Sequence, residues 1–476
     1  MKYGAALALS ASLLPFSEAI SLVQRSPDAR PKAVGLDIQR RKVENPLLRD
    51  RLRRRQENTV QQNLDNLETL YFANASLGTP PQDFRLHIDT GSSDLWVNAE
   101  SSTLCSDQRD RCAVSGVYNA NDSSTYEYIN SLFNISYVDG SGASGDYVAD
   151  TFRFGGEELP GLQFGIGYTS SSSEGILGIG YAINEVAVNR AGQEPYPNLP
   201  QLLVNQGLIQ TNAYSLWLND LDASTGNILF GGVDTAKYVG NLQTLPIIPY
   251  QGQIYAEFII ALTSLGTNGN TNNLMSSAQV PVLLDSGSTL IYLPNDVVTT
   301  IYSEFNAEYS SERGAAFVDC ALANSDATID FTFSGPTIRV PMNELVIVAG
   351  YSRTRPICIL GILPAGDGTA VLGDTFLRSA YVVYDLQNNE ISIAPTNFNA
   401  TESNVLEIAR GADGVPDATG VENAVTAVSV QTGGAINGGQ PSVTATSTAG
   451  GVPAVTAAPK LVAAAALAGA GVLWAL

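Results

Sequence analysis

The chain has 476 residues, with 25 Lys+Arg against 46 Asp+Glu and a formal net charge of −21. Residues 1–55 hold 12 of the basic and 5 of the acidic residues, so the rest carries 13 against 41, a balance of −28 that disfavours nucleic acid as a partner. One His and no C-x-x-C argue against zinc and paired-histidine metal chemistry; a Ser-His-Asp triad would have to use His87, which lies two positions from Asp89 on the same expected strand and is read as a structural residue.

Met1 to Ala19 has a lone Lys2, an apolar run and a small-residue end, the pattern of a cleaved secretory signal. Residues 20–55 are basic and poorly patterned and end "RDRLRRR"; after a signal they are expected to be a pro-segment cut after Arg55. From about Leu67 to Pro395, short apolar runs such as "FRLHI", "YSLWLN" and "AYVVYD" alternate with Gly, Asn, Asp and Pro. This predicts an antiparallel, mostly β protein. Apolar spacing shifts toward the helical period only at "NLPQLLVNQG" and "PNDVVTTIYSEFNAEY".

Four cysteines allow three pairings; Cys105–Cys112 and Cys320–Cys358 are favoured because each would lie within one unit of the chain. Sequons stand at Asn74, Asn121, Asn134 and Asn399. Residues 397–450, rich in Ser, Thr, Gly and Ala, are expected to form a disordered stalk. The tail ends in "LVAAAALAGAGVLWAL", 16 uncharged residues where a membrane span needs about 20. Residues 451–476 therefore fit a glycosylphosphatidylinositol-attachment signal that is removed.

"HIDTGSSDLWV", His87 to Val97, places Asp89 and a run of hydroxyl residues in an apolar, strand-like context, and "VPVLLDSGSTLIYL" repeats the pattern around Asp285. "GILGIG" follows the first copy and "AVLGDTF" the second, so each half reads as an aspartate loop and then an aliphatic stretch ending in Gly. The repeat implies two related lobes, 67–245 and 246–396, each giving one carboxylate to a shared site. Two close carboxylates share a proton and can hydrolyse without His, metal or covalent intermediate. Small and hydroxyl neighbours are needed around them, and Thr90, Gly91, Ser92, Ser286, Gly287 and Ser288 meet that need.

These residues resemble the pepsin-like aspartic endopeptidases, with "DTGSSDLW", "YVDGSG", "GILGIGY", "LLDSGSTLIYL" and "VLGDTFLRSAYVVYDLQNNEISIAP" in order between Leu67 and Pro395. The resemblance implies an all-β, bilobal fold with the active-site cleft between the lobes. Asp89 and Asp285 would be the catalytic pair, above a hydroxyl lattice from Thr90 and Ser286, with Ser92 and Ser288 on the outer carboxylate oxygens. Tyr137, followed by Asp139 and Gly140 at a hairpin tip, resembles the flap tyrosine, and Trp96 its hydrogen-bonding neighbour. Thr289 and Glu174 fall near the expected substrate path. Asp374 and Arg378 are read instead as an i,i+4 ion pair on a short helix.

Within the family the body is similar to the fungal candidapepsins and the tail to the yapsins. Peptide and protein substrates, no cofactor, a monomer, and a cell-surface location with partial release follow as expectations. A carboxylate beside the scissile bond, Asp139 or Glu174, would favour Lys or Arg there. A catalytically dead wall protein is countered by the intact aspartates, hydroxyls and Tyr137. A glycosidase would not need the repeated Asp-Thr/Ser-Gly.

Overall fold

The computed structural model describes residues 31–43, 67–106, 111–137, 141–223, 225–250, 253–275 and 279–430. The expected signal peptide, the expected cleavage point Arg55, Asp139 and Gly140, the later part of the expected stalk and the expected anchor signal lie outside them.

Strands dominate, as alternating apolar runs punctuated by turn residues require, and the main sheet has 14 of them. Its central part comprises β1 (Val34–Val43), β2 (Leu67–Leu77), β3 (Gln82–Asp89), β4 (Leu95–Asn98), β5 (Glu127–Ser136), β6 (Gly142–Phe154), β7 (Glu157–Ser170), β8 (Gly175–Gly178), β9 (Ala213–Trp217) and β10 (Thr225–Phe230). The order β9-β10-β1-β2-β3-β8-β4-β7-β6-β5 continues beyond β9 into strands Ala380–Asp385, Glu390–Pro395, Leu242–Pro246 and Ala418–Gly420. Residues from both predicted lobes thus share one sheet, and their inward faces form one large apolar core. A second sheet of five strands carries Val280–Leu284, which leads to Asp285.

The two halves repeat one design. β3 pairs in parallel with β8, Asp89 opposite Gly178, and Val280–Leu284 pairs in parallel with Ala370–Leu372, Leu284 opposite Leu372. The two predicted helices appear at Leu199–Asn205, with Pro in its first turn, and at Asn295–Glu304. Both predicted disulfides form, with Cα–Cα distances of 5.3 Å for Cys105–Cys112 and 5.2 Å for Cys320–Cys358.

Three expectations are corrected. The stretch read as poorly patterned contains β1, which is antiparallel to both β10 and β2 and buries Val34, Leu36 and Ile38. The stretch read as disordered stalk begins as ordered chain. Val405–Glu407 pairs with Gly232–Asp234, Ala418–Gly420 pairs with Leu242–Pro246, and Ile408 is fully buried. A few apolar side chains suffice there because the backbone groups are satisfied by existing strand edges. Finally, Asp374–Leu377 is helical, but the ion pair of Arg378 is with Glu344, through Nε to Oε2, rather than with Asp374. All three side chains are buried, and Arg378 Nη2 also donates to the Glu344 carbonyl at 2.7 Å.

Candidate active site

Each aspartate stands where a buried strand runs into a turn of small residues. Gly91 N–H donates to Asp89 Oδ1 at 2.9 Å, and Ser92 Oγ donates to Oδ2 at 2.6 Å. The second copy repeats this: Gly287 N–H donates to Asp285 Oδ1 at 2.8 Å, and Ser288 Oγ to Oδ2 at 2.6 Å. Both carboxylates are buried, Asp89 at 1% exposure and Asp285 at 8%. The two turns touch, since a Cβ built on Gly91 would lie 2.6 Å from Asp285 Oδ1. Glycine is required there by close approach, not by backbone angle.

Beneath the carboxylates the two loops exchange hydrogen bonds. Thr90 Oγ1 donates to the Leu284 carbonyl at 3.0 Å and accepts the Ser286 N–H at 2.9 Å. Reciprocally, Ser286 Oγ donates to the Ile88 carbonyl and accepts the Thr90 N–H, both at 3.2 Å. Ser in place of Thr keeps every hydrogen bond of the lattice. A hydroxyl is needed on each side because it is both donor and acceptor.

β5 and β6 form a hairpin whose described end has Ser136 opposite Gly142 and Tyr137 N–H donating to the Ser141 carbonyl at 2.8 Å. Trp96 Nε1 donates to the Tyr137 hydroxyl at 2.7 Å, so the indole, itself buried against Phe133, holds the tyrosine. Glu174 precedes β8, half-buried, with its backbone N–H and carbonyl both bonded to Ser172 Oγ. Thr289 is buried, and its carbonyl accepts the Thr375 N–H. All four sequon asparagines, Asn74, Asn121, Asn134 and Asn399, are exposed.

Sequence reasoning missed a network behind the first loop. Asp94, within the "DTGSSDLW" stretch, accepts hydrogen bonds from the Tyr147 hydroxyl at 2.6 Å, the Tyr196 hydroxyl at 2.9 Å and the Val186 N–H at 2.9 Å. Burial raises its pKa above the usual aspartate value, against these hydrogen bonds. Next to it Glu185 is fully buried and accepts the Tyr196 N–H at 2.9 Å; burial pushes its pKa up to about 10. The available signal was an acid in an otherwise apolar strand entry, with tyrosines downstream. Among the described residues no group of three or more His, Cys, Asp or Glu is placed to hold a metal ion.

Two buried carboxylates from repeated loops, each with one backbone and one hydroxyl donor, form a pair suited to sharing a proton and activating water. Such a pair in a β fold of two repeated halves defines an acid hydrolase of the aspartic type. Residues 70–396 match the family described as "Eukaryotic aspartyl protease", and the chain belongs to that family.

It is 54% identical over 437 residues to a probable aspartic-type endopeptidase opsB of Aspergillus fumigatus, covering 90% of this chain and 89% of that one. It is 37% identical over 355 residues to aspartic proteinase yapsin-3 of Saccharomyces cerevisiae, covering 72% and 69% respectively. The solved aspartic proteinase of Irpex lacteus shares the fold, with a TM-score of 0.59 at 23% identity over 78% of this chain and 99% of that one. The chain is an aspartic-type endopeptidase.

Proposed function

We propose that Asp89 and Asp285 hydrolyse peptide bonds at acidic pH as a general acid–base pair, in an enzyme made as a secreted zymogen and anchored at the cell surface. The observation that carries the catalytic part is the reciprocal donor set, Gly N–H and Ser Oγ on each carboxylate. It orients two carboxylates toward one site, and the mechanism carried over from aspartic protease dyads has such a pair share one proton. The ionised member takes a proton from water, whose oxygen adds to the scissile carbonyl carbon. The protonated member gives its proton to the carbonyl oxygen. Collapse of the tetrahedral species returns that proton to the carboxylate and sends the other to the leaving nitrogen, freeing an acid and an amine. Tyr137, held by Trp96, closes over the substrate and excludes water.

The signal-like Met1 to Ala19, the Arg53-Arg54-Arg55 run and the small-residue tail support secretion, cleavage after Arg55 and a lipid anchor. The four exposed sequons fit passage through the secretory route. Glu174 at the head of β8 and Asp139 support a preference for Lys or Arg beside the cut, and the monomer reading rests on both aspartates lying in one chain.

The test is cleavage of a peptide library at about pH 4 by the purified mature protein, with and without pepstatin. Asp89→Asn and Asp285→Asn are each expected to abolish turnover, and activity surviving either one overturns the dyad. Alanines at Arg53, Arg54 and Arg55 should yield a longer product, and normal maturation overturns cleavage there. A mature C-terminus that runs through Leu476 by mass spectrometry overturns the anchor. In the same library, apolar residues dominating both sides of the cut overturn the basic preference.

A further inference from the structure

Residues 397–430 run on past the family match and form a strap that is bonded to both halves of the sequence repeat. It starts on the first half, where Val405–Glu407 pairs with Gly232–Asp234. It then follows the edge of the main sheet: Gly420 lies opposite Thr244, and the Val421 N–H donates to the Thr244 carbonyl at 3.0 Å. It ends on the second half, where the Val425 N–H donates at 3.1 Å to Ser334 Oγ, in the turn between strands Thr328–Thr332 and Thr337–Pro341.

Midway the strap makes a tight turn, with the Ala409 N–H donating to the Gly414 carbonyl at 2.8 Å. The turn docks on the hairpin between strands Ala380–Asp385 and Glu390–Pro395, and Asn388 is the clip. Its Nδ2 donates to Asp385 Oδ2 at 2.7 Å and to the strap carbonyl of Gly411 at 3.0 Å, while its N–H donates to Asp385 Oδ1 at 2.9 Å. Three carboxylates meet at this junction. Asp385 and Glu390 face each other across the hairpin, and the charge of Asp413 on the strap turn acts on Glu390. Asp385 is buried, Glu390 half-buried and Asp413 exposed.

Among the described residues no Lys or Arg lies within ion-pair distance of any of the three. Arg410, in the same turn, donates through Nε to the Gln210 carbonyl at 2.9 Å instead. The other ionisable groups around the junction are Glu407, which accepts from Gln210, and Tyr181, whose hydroxyl donates to Asn389 Oδ1 at 3.1 Å and which burial keeps neutral. Burial raises the pKa of Glu390, and the charges of Asp385 and Asp413 raise it further; burial raises Asp385 too, against the hydrogen bonds from Asn388. Acids raised in the docked state bind more protons docked than free. Their contribution is therefore complete below the ordinary carboxylate range and is lost as pH climbs through the raised values.

We propose that the strap is an acid-set latch between the two halves: its turn docks on the Asp385–Glu390 hairpin while these carboxylates are protonated and lets go as they ionise together. At neutral pH the strap opens locally while the sheets beneath it stay folded, and the tie between Gly232–Asp234 and Ser334 is loosened.

Hydrogen–deuterium exchange of the full chain, with labelling times corrected for the change in intrinsic rate, tests this at about pH 4 and about pH 7. Protection over residues 405–421, measured relative to strand Val280–Leu284, is expected to fall about tenfold at the higher pH. Asp413→Asn with Glu390→Gln keeps both shapes but removes two of the three charges, so the double variant should hold its strap protection at neutral pH. Asp413→Asn alone should recover only part of it, because that residue is exposed and its charge is screened by water. Equal strap protection at both pH values overturns the latch. So does a loss of the same size in strap and core, which would be global loosening, and so does a strap loss that the double variant leaves unchanged.

Discussion

At the scale of single residues the site tolerates very little. Gly91→Ala places a methyl 2.6 Å from Asp285 Oδ1, and a buried carboxylate held by two donors cannot retreat without losing them. The expected result is a folded protein whose kcat/KM falls by about 100-fold, the cost of displacing a reacting group by about 1 Å. Steady-state kinetics beside an unchanged circular-dichroism spectrum checks it, and wild-type kinetics refutes it. Thr90→Val keeps the shape but leaves the Leu284 carbonyl and the Ser286 N–H buried without their partners, at about 1–3 kcal/mol each. A lower urea midpoint should report this, and an unchanged midpoint would show the lattice to be dispensable. This part of the site was legible in the sequence because its groups lie within four consecutive residues, twice. The Asp94 network was not: its partners Tyr147 and Tyr196 lie 53 and 102 residues away, and tyrosine in a strand signals nothing until folding brings it to an acid.

At the scale of elements, two segments outside the motifs complete the sheet. β1 occupies the place between β2 and β10, so the central sheet is continuous only while this stretch is in place. The alternation of Val34, Leu36 and Ile38 was present in the sequence, but the basic run downstream dominated its reading. Replacing Leu36 and Ile38 together with Asp buries two charges without partners and should abolish the yield of folded full-length protein. The exposed Gln39→Asp should leave the yield unchanged. Equal yields from the two would mean that β1 contributes nothing to folding. The C-terminal strap does the same for strands Gly232–Asp234 and Leu242–Pro246. Ser403 Oγ and the Asn404 N–H each donate to Asp234 at 2.7 Å, and Lys237 Nζ reaches the Ala400 carbonyl at 2.7 Å. Composition hid this segment, because the strap is held by backbone pairing and by very few apolar anchors. Ile408→Ala removes one of those anchors and should cost about 2–5 kcal/mol. Calorimetry of the folded protein measures it, and an unshifted transition would mean that the strap is not part of the folded unit.

At the scale of the whole molecule, charge and burial set the pH range in which the enzyme survives. Two effects act in the same direction. As pH rises the acidic body, −28 beyond residue 55, gains charge and repels itself, a surface effect that salt screens within about 10 Å at 0.1 M. Glu185 adds an interior effect, because burial lifts its pKa from 4.5 to about 10. An acid whose folded pKa is raised binds more protons folded than unfolded, so its stability is fully present below about pH 4.5 and drains away as pH climbs toward 10. Asp94, raised in the same direction by burial, adds to the loss. The melting temperature should therefore be highest in acid and fall steadily from pH 4.5 to 8. Salt separates the two causes: 0.5 M NaCl should recover the surface part and leave the buried part. Glu185→Gln keeps the shape and an acceptor for the Tyr196 N–H but cannot ionise, so it should flatten the slope that remains in salt. If the slope in high salt is the same for wild type and Glu185→Gln, the buried acid is not what limits the protein at neutral pH, and the surface charge alone must account for the loss.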